Sequence, residues 1–255
     1  MATRCERAGS RCYQSAMATS ASYSTWTVLP HGPIEPLEDN LWRVEGTLPN
    51  MPLKRVMTVA GLASGELLIH NPIALDARAM AELDALGRVA FLVVPNGWHR
   101  LDLHAFRARY PMAQALAPSG SLRKVGAVEP SVADLTALPA DANVSLGVLG
   151  GTGGMEAVMT VTSRGGLSVV FADAVFNMPH LPGFHGFVLR HVTGSSGGPR
   201  VSRVARWFMI KDRPAFAAHL ERLATPDLRR VIVAHHQIIA DDPAGVLRRV
   251  AASVR

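Results

Sequence analysis

The alternation of apolar and polar residues along the chain predicts short strands interleaved with amphipathic helices. Apolar and polar residues alternate over 41–45, and the continuous apolar run at 91–94 is typical of a buried strand. By these patterns we predict strands at 41–45, 55–60, 66–70, 91–94, 114–117, 144–149, 156–163, 167–171 and 229–234. Helical periodicity predicts helices at 76–86, 103–109, 132–138, 204–210, 214–223 and 243–252, whereas residues 177–201 have the proline and glycine content of a loop.

The order of these elements is several strands followed by strand–helix units, and it occurs twice. This order favours an α+β fold in which two sheets pack together with helices outside, a four-layer αββα sandwich. Two of the late strands, 156–163 and 167–171, form a predicted antiparallel hairpin. We see no linker in the later chain, so we predict a single domain over 37–255. Residues 1–25, rich in Ser, Ala, Thr and Arg, form a predicted disordered tail.

Composition and charge exclude several classes of protein. Of the 255 residues 48% are hydrophobic, which is ample for a core, yet no apolar run reaches the ~18 residues of a spanning helix. The arginines behind the net charge of +6 are dispersed, so we expect no nucleic acid and no membrane as partner. Cys5 and Cys12 match no zinc spacing. We expect a cytoplasmic protein, while its ligand and oligomeric state stay open.

Polar residues with useful chemistry follow three of the predicted strands. In α/β proteins ligands gather beyond the carboxyl ends of strands, because the loops there converge on one crevice. The candidates are Asn96, His99, Asp102 and His104 after 91–94, Asp173 after 167–171, and His235 and His236 after 229–234. The stretch after 91–94 is the richest of the three, so it is the best single candidate for a site.

The order of elements resembles the metallo-β-lactamase superfamily over about residues 37–243. The stretch after 91–94 sits where that superfamily has its His-x-His-x-Asp-His loop. Asp173 resembles the aspartate that bridges two metals, and the strand before His235 resembles the one that ends in a His-Gly pair. The most similar branch consists of domains of unknown function with a degenerate metal motif. The residues that carry this closer likeness are Pro95, Asn96, His99, Tyr110, Pro111 and Lys124.

The chain also departs from the superfamily pattern at most ligand positions. Only Asp173 and His235 fall on such positions, and the glycine turn around Gly153 supplies no third histidine. Other residue types occupy the remaining positions: Asn96, Trp98, Arg100 and Leu101 in the first loop, and His236 in place of the glycine. The resemblance therefore implies the superfamily's fold without its dinuclear zinc centre.

A site with a single metal ion is compatible with the residues that remain. On this fold His99, Asp173 and His235 would point into one crevice, since each lies at or just beyond a strand end. Two histidines with one carboxylate are a known ligand set for catalytic zinc, and the same set with open positions suits Fe(II). Asp102, His104 and His236 are second choices as ligands. The sequence assigns no catalytic residue and no organic cofactor.

These observations leave two main hypotheses of function open. The first is a hydrolase-like protein with at most one zinc or iron ion, acting on an ester, a thioester or an amide. The alternative is a catalytically inactive, metal-free relative that binds a small ligand or a protein partner in the old active-site crevice. A serine hydrolase that uses Ser196 is a distant third, because no apolar strand leads into the glycine-rich loop around it.

Overall fold

Two β-sheets form the centre of the molecule. The structure, a computed structural model, describes residues 22–255. The first sheet has seven strands, paired in chain order: β1 (Glu35–Glu38), β2 (Leu41–Leu48), β3 (Met51–Gly61), β4 (Leu67–His70), β5 (Val89–Val93), β6 (Gln114–Ala117) and β7 (Ala133–Asp134). Neighbours from β1 to β4 are antiparallel, and neighbours from β4 to β7 are parallel.

The second sheet has four strands in the order β13, β10, β9 and β8. Its strands are β8 (Val144–Val148), β9 (Ala157–Ser163), β10 (Gly166–Phe171) and β13 (Leu228–Val233), and a separate ribbon pairs β11 (Phe176–Met178) with β12 (Gly198–Arg200). The predicted hairpin of β9 and β10 is confirmed. Because β13 runs parallel to β10, both strands end at the same edge, with Phe171 opposite Val233.

Helices cover the outer faces of the two sheets. They are α1 (Ala77–Leu86), α2 (Leu103–Arg109), α3 (Leu122–Gly126), α4 (Gly183–Phe187), α5 (Arg213–Leu223) and α6 (Pro243–Val254). Aspartates begin three of them, and at α1 the Asp76 carboxylate accepts a hydrogen bond from the Ala79 N–H at 2.9 Å. Asp212 and Asp242 cap α5 and α6 in the same way. Single turns of 3₁₀-helix lie at Ser119–Ser121 and Leu135–Ala137, and turns of π-helix at Val188–Val192 and Ala205–Met209.

Three groups of buried apolar residues fill the spaces between four layers. One group packs the first sheet against α1 and α2, and it includes Leu83 and Leu92. Val93, the next residue of β5, belongs to the group between the two sheets together with Met159. The third group packs the second sheet against α5 and α6, around Phe216. Successive residues of a strand face opposite sides, so β5 is buried on both faces, and the predicted αββα sandwich is confirmed.

Two regions of secondary structure differ from the prediction. Residues 132–138, predicted to be a helix, form the edge strand β7 and a 3₁₀ turn that Asp134 caps through the Thr136 N–H. Residues 177–201, predicted to be a loop, contain β11, α4, a π-helical turn and β12. The two strands are only three residues long, and the helical stretch 183–192 changes from α to π geometry at Val188, so neither shows a single clear period among the glycines and prolines.

The folded part begins before the predicted boundary at residue 37. The Trp26 ring lies 5.0 Å from that of Phe106, and its Nε1 donates to the Leu75 carbonyl at 2.9 Å. Residues 1–21 of the predicted tail, with both cysteines, lie outside the described residues. None of the helices within 22–255 combines the length and the apolar character that crossing a bilayer requires.

Candidate metal centre

Three strand ends bring two histidines and one aspartate to a common point. His99 lies in the turn after β5, Asp173 follows β10, and His235 follows β13. One ligand atom from each of these residues lies within 4.8 Å of the others. The first sheet supplies one of the groups and the second sheet supplies two, so the site spans the seam between the sheets.

The Asp173 carboxylate lies between the two imidazole rings. Its Oδ2 is 3.1 Å from Nε2 of His99, and its Oδ1 is 3.0 Å from Nε2 of His235. Burial alone would raise the pKa of Asp173, but the two histidines together hold it well below its usual value. Burial likewise opposes the charge on His235, yet the hydrogen bond to Asp173 raises the pKa of that imidazole. The carboxylate is therefore ionised at neutral pH.

In each imidazole, Nδ1, the ring nitrogen that does not face Asp173, lies next to an oxygen atom that accepts a hydrogen bond. His235 Nδ1 lies 2.8 Å from the carbonyl oxygen of Lys54, which can only accept a hydrogen bond. His99 Nδ1 lies 3.0 Å from Oδ1 of Asn71, whose amide nitrogen donates to the Val56 carbonyl at 2.8 Å. Both Nδ1 atoms must then carry a proton, so each Nε2 offers a lone pair to a metal ion when its imidazole is neutral and donates to Asp173 when the imidazole is protonated.

A buried glutamate holds the turn that carries Asp173. Oε1 of Glu156 accepts hydrogen bonds from the backbone N–H groups of Ala172 and Ala174, and Oε2 accepts one from that of Asp173, at 2.9–3.1 Å. Burial and the charge of Asp173 raise the pKa of Glu156 to about 8, against the effect of these donors. Three successive amides bonded to one side chain fix the backbone at this turn, so Glu156 positions the aspartate.

Asn96 connects the first loop to the same carboxylates. Its side-chain nitrogen donates to Oδ2 of Asp173 at 2.9 Å and to Oε2 of Glu156 at 3.3 Å, and its oxygen accepts from the Trp98 N–H at 2.9 Å. A backbone hydrogen bond from Ala157 to Pro95 ties the loop to the start of β9. The asparagine therefore helps to order the site, and it shares Oδ2 of Asp173 with His99.

The donor set fits a zinc or iron ion. Zinc binds imidazole nitrogen and carboxylate oxygen at ~2.0–2.2 Å, which separates two ligands of a tetrahedral ion by about 3.3 Å. The observed separations of 3.0 and 3.1 Å between Nε2 and carboxylate oxygen are close to that value. Metal-binding histidines also commonly donate their other ring N–H to a carbonyl or an amide, as both do here. The described residues thus contain one His/Asp/His group that could hold a metal ion.

The three groups lie at one end of a cavity of about 350 Å³. Apart from these groups and Arg55, most of its lining is apolar. The large apolar side chains that line it are Leu48, Met51, Leu53, Trp98, Leu101, Phe176, Leu189 and Met209. Such a cavity is suited to the apolar part of a small molecule whose polar end reaches the histidines.

No protein-family model matches the sequence, and no curated protein is significantly similar to it. Solved structures do match in three dimensions. DIM-1 metallo-β-lactamase, exposed to ceftazidime, superimposes with a TM-score of 0.60 at 12% identity, covering 90% of this chain and 100% of its own. FIM-1 from Pseudomonas aeruginosa in its mono-zinc form gives 0.56 at 11% identity, covering 91% and 98%. The chain has the metallo-β-lactamase fold.

A third structure agrees, a metallo-β-lactamase from Erythrobacter litoralis with β-mercaptoethanol in its active site. Its TM-score is 0.55 at 13% identity, and the match covers 86% of this chain and 96% of that one. The fold that the sequence resemblance implied is thereby confirmed. Identities this low bear on the fold alone, so the activity of this metallo-β-lactamase-fold protein has to be argued from its own side chains.

The second-choice ligands lie elsewhere on the metallo-β-lactamase fold. Asp102 is buried in an ion pair with Arg55, whose Nη1 lies 2.5 Å from Oδ2. His104 is exposed on α2. His236 turns its ring away from Asp173, because its backbone has a positive φ of 68°, and its Nε2 accepts the Lys54 N–H at 3.3 Å. These three residues therefore do not join the His/Asp/His group.

Two residues at positions where the resemblance would place ligands have structural contacts of their own. Arg100 donates to the Lys124 carbonyl at 2.7 Å, and the Lys124 ammonium lies 5.2 Å from the centre of the Trp98 ring. Ser196, the nucleophile of the third hypothesis, is fully buried and bonds only to the exposed His180 at 3.0 Å. A buried hydroxyl without access to substrate does not support a serine hydrolase.

Sequence reasoning missed Glu156 and Asn71, which hold Asp173 and His99 of the candidate site in place. Glu156 was assigned only as the first residue of a strand, and Asn71 as part of a turn before a helix. A charged residue at the entry to the otherwise apolar strand 157–161 was the available signal for Glu156. Neither partner set could be read from the sequence, since the contacts join residues 16 to 28 positions apart.

Proposed function

We propose that this protein is a metal-dependent hydrolase with a reduced site, in which His99, Asp173 and His235 hold one zinc or iron ion. The observation that supports this is the convergence of two Nε2 atoms on one carboxylate while both Nδ1 atoms face acceptors. FIM-1 is a mono-zinc form on the same fold. A single ion is therefore compatible with this architecture.

An ion bound here would act as a Lewis acid and would lower the pKa of a water molecule toward ~7. The side chains of the protein have distinct tasks around it. Asn71 and the Lys54 carbonyl keep the protons on the Nδ1 atoms, and Glu156 fixes the turn of Asp173. The apolar cavity orients a substrate with an apolar substituent and restricts access of bulk water. We infer an ester, a thioester or an amide as the reacting group.

A metal-free protein that binds a ligand in the same cavity is the second candidate. Asp173 accepts hydrogen bonds from Asn96 and from both imidazoles when these are protonated. The carboxylate is then satisfied without an ion, which is what a relative that has lost its metal requires. Such a protein would use the cavity for a small ligand or a partner's side chain.

Metal content separates the two candidates. Protein purified without chelator should contain close to one zinc or iron ion per chain by elemental analysis, and His235→Ala should lose it. His104→Ala is the matched control, because this exposed histidine is outside the site, and it should retain the metal. Hydrolysis of a p-nitrophenyl acyl ester should follow the metal content. A chain that takes up no zinc or iron on dialysis would contradict the proposal and favour the metal-free candidate.

A further inference from the structure

One side of the cavity is formed by residues 183–211, the wall segment. It contains α4, both π-helical turns and β12. The π-helical bonds run from the Thr193 N–H to the Val188 carbonyl and from the Ile210 N–H to the Ala205 carbonyl, at 3.0 and 2.9 Å. Turns of this kind are rare and are found mainly at functional sites. Two π-helical turns in one segment indicate that the wall segment has a function beyond connecting the strands.

The outer face of the wall segment exposes large apolar side chains. In the part of the chain that the structure describes, eight large hydrophobic residues are exposed, and five of them belong to this segment: Phe184, Phe187, Val192, Trp207 and Phe208. Phe184 is 77% and Trp207 is 69% exposed. So many exposed large apolar side chains on one segment are unfavourable in water, and they indicate a surface that a binding partner covers.

The two helical halves of the wall segment form one surface. The backbone N–H of Arg203 donates to the Thr193 carbonyl at 2.8 Å, and its guanidinium donates to the carbonyls of His191 and Val192. Both halves also face the same cavity, through Leu189 in the first and Met209 in the second. Leu189 and Met209 are buried against the cavity, whereas the five apolar residues named above are exposed to solvent.

The charge of the wall segment has a single sign. Five of its residues are Arg or Lys and none is Asp or Glu, so it carries a net charge of +5, against +6 for the whole chain. Among residues 22–255, none of these cations forms an ion pair with a carboxylate. The cations are Arg190, Arg200, Arg203, Arg206 and Lys211. A positive surface with aromatic side chains complements a surface that is anionic outside and apolar beneath.

We propose that the wall segment docks on the surface of an anionic phospholipid membrane. Aromatic side chains on a helix enter the boundary between headgroups and acyl chains, while Arg and Lys bind the negative headgroups. This partner complements both the apolar and the cationic side chains of the surface at once. The proposal does not rest on a bound metal or on hydrolysis, and it replaces the sequence-based expectation of no membrane partner.

A second copy of the chain is a less suitable occupant. A symmetric contact would set two surfaces of charge +5 against each other, and like charges that lose water on contact repel strongly. No acidic side chain within the segment could relieve that repulsion. An anionic bilayer, by contrast, supplies the countercharges itself.

Co-sedimentation of the full chain with vesicles tests the proposal. The probes are vesicles of phosphatidylcholine alone and of phosphatidylcholine with 30% phosphatidylglycerol, a fraction we choose for the test. We expect binding to the anionic vesicles, weaker binding to the neutral ones, and release by high salt. Trp207→Ser with Phe208→Ser should weaken binding by 10-fold or more, and so should Arg190→Gln with Lys211→Gln. Met112→Ser, which removes an exposed apolar side chain outside the wall segment, should leave binding unchanged.

Three results would overturn the proposal. The first is a wild-type chain that stays in the supernatant with anionic vesicles. The second is equal binding by the wild type and the Trp207→Ser, Phe208→Ser variant. The third is a concentration-dependent dimer by analytical ultracentrifugation that the same variant abolishes in a protein without vesicle binding, which would assign the surface to a second copy. Circular dichroism of each variant checks that it is folded before the binding is compared.

Discussion

The cluster around Asp173, which we call the floor of the cavity, and the wall segment differ in how their side chains are exposed and paired. At the floor, Glu156 and Asn96 are buried and Asp173 is partly buried, and these side chains hydrogen-bond to one another, to the two histidines or to backbone. On the wall, the side chains that stand out are exposed aromatic residues and unpaired cations. The floor thus fixes the geometry of a few atoms, whereas the wall offers a broad surface. The difference indicates that the floor serves a chemical step, whereas the wall segment serves binding to a partner.

The largest loss of folding free energy is expected when the buried ion pair next to the floor is broken. Asp102→Ala leaves the Arg55 guanidinium charged and buried without its partner, and this should lower the free energy of unfolding by ~3–5 kcal/mol in urea titrations. The double variant Arg55→Met, Asp102→Leu removes both charges and should recover most of that loss. A single variant as stable as the wild type would mean that the pair does not hold this part of the floor.

A smaller loss is expected from altering the residue that positions Asp173. Glu156→Gln replaces one acceptor oxygen with an NH₂ donor opposite backbone N–H groups, so the turn at 172–174 should lose its alignment. The affinity for zinc, measured by titration with a competing chelator, should fall by ~10–100-fold, as for other residues that orient metal ligands. Glu82→Gln on the exposed side of α1 should change nothing. Unaltered zinc affinity in Glu156→Gln would remove the positioning role.

Acid stability distinguishes a histidine near the floor from one on the wall. His70 is fully buried with both ring nitrogens unpartnered, and burial, aided by His99, lowers its pKa to about 3. A base whose pKa is lowered on folding stabilises the protein above ~6.5 and loses that contribution as the pH falls toward its folded value.

His70→Leu should therefore flatten the decline of the unfolding free energy between pH 7 and 5, which amounts to about 2 kcal/mol for this one group. His185→Gln, an exposed position on α4, should keep the wild-type slope. Denaturant titrations at several pH values measure both. An unchanged slope in His70→Leu would show that other groups control the acid sensitivity.

The smallest effect is expected from the wall. Trp207→Ser with Phe208→Ser removes exposed side chains, so the free energy of unfolding should change by no more than ~0.5 kcal/mol per site. The metal content should stay at the wild-type level, because none of the His/Asp/His group lies in the wall segment. A large loss of unfolding free energy or of metal content would mean that the floor depends on the wall segment. The contrast between the two regions would then be wrong.

The sequence predicted the floor better than the wall for a physical reason. The strands before His99, Asp173 and His235 end in short runs of apolar, mostly β-branched residues bounded by turns, and such runs favour buried strands. In the first half of the wall segment the exposed residues include Phe184, Phe187 and Val192, so apolar residues do not mark the buried face alone. Residues 177–201 were therefore predicted to be a loop, whereas helical periodicity did predict the helix at 204–210.

The exposed surface of the wall segment also required the three-dimensional structure. The arginines look dispersed when counted along the whole chain, and the expectation of no membrane partner followed from that count. Folding joins the two halves of the wall segment through Arg203 and leaves five large apolar residues of the segment exposed. The character of a surface depends on which residues are exposed and on which of them are neighbours. A count of residues along the sequence gives neither.

By itself the sequence determined the two-sheet architecture and the strand ends that carry polar residues, because both follow from local periodicity and from breaks in it. Only the tertiary structure decided which of those residues meet. His99 and His235 lie 74 and 62 positions from Asp173, and their approach depends on the order and register of strands in two different sheets. The same holds for Glu156, whose role exists only through three amides of another strand's turn.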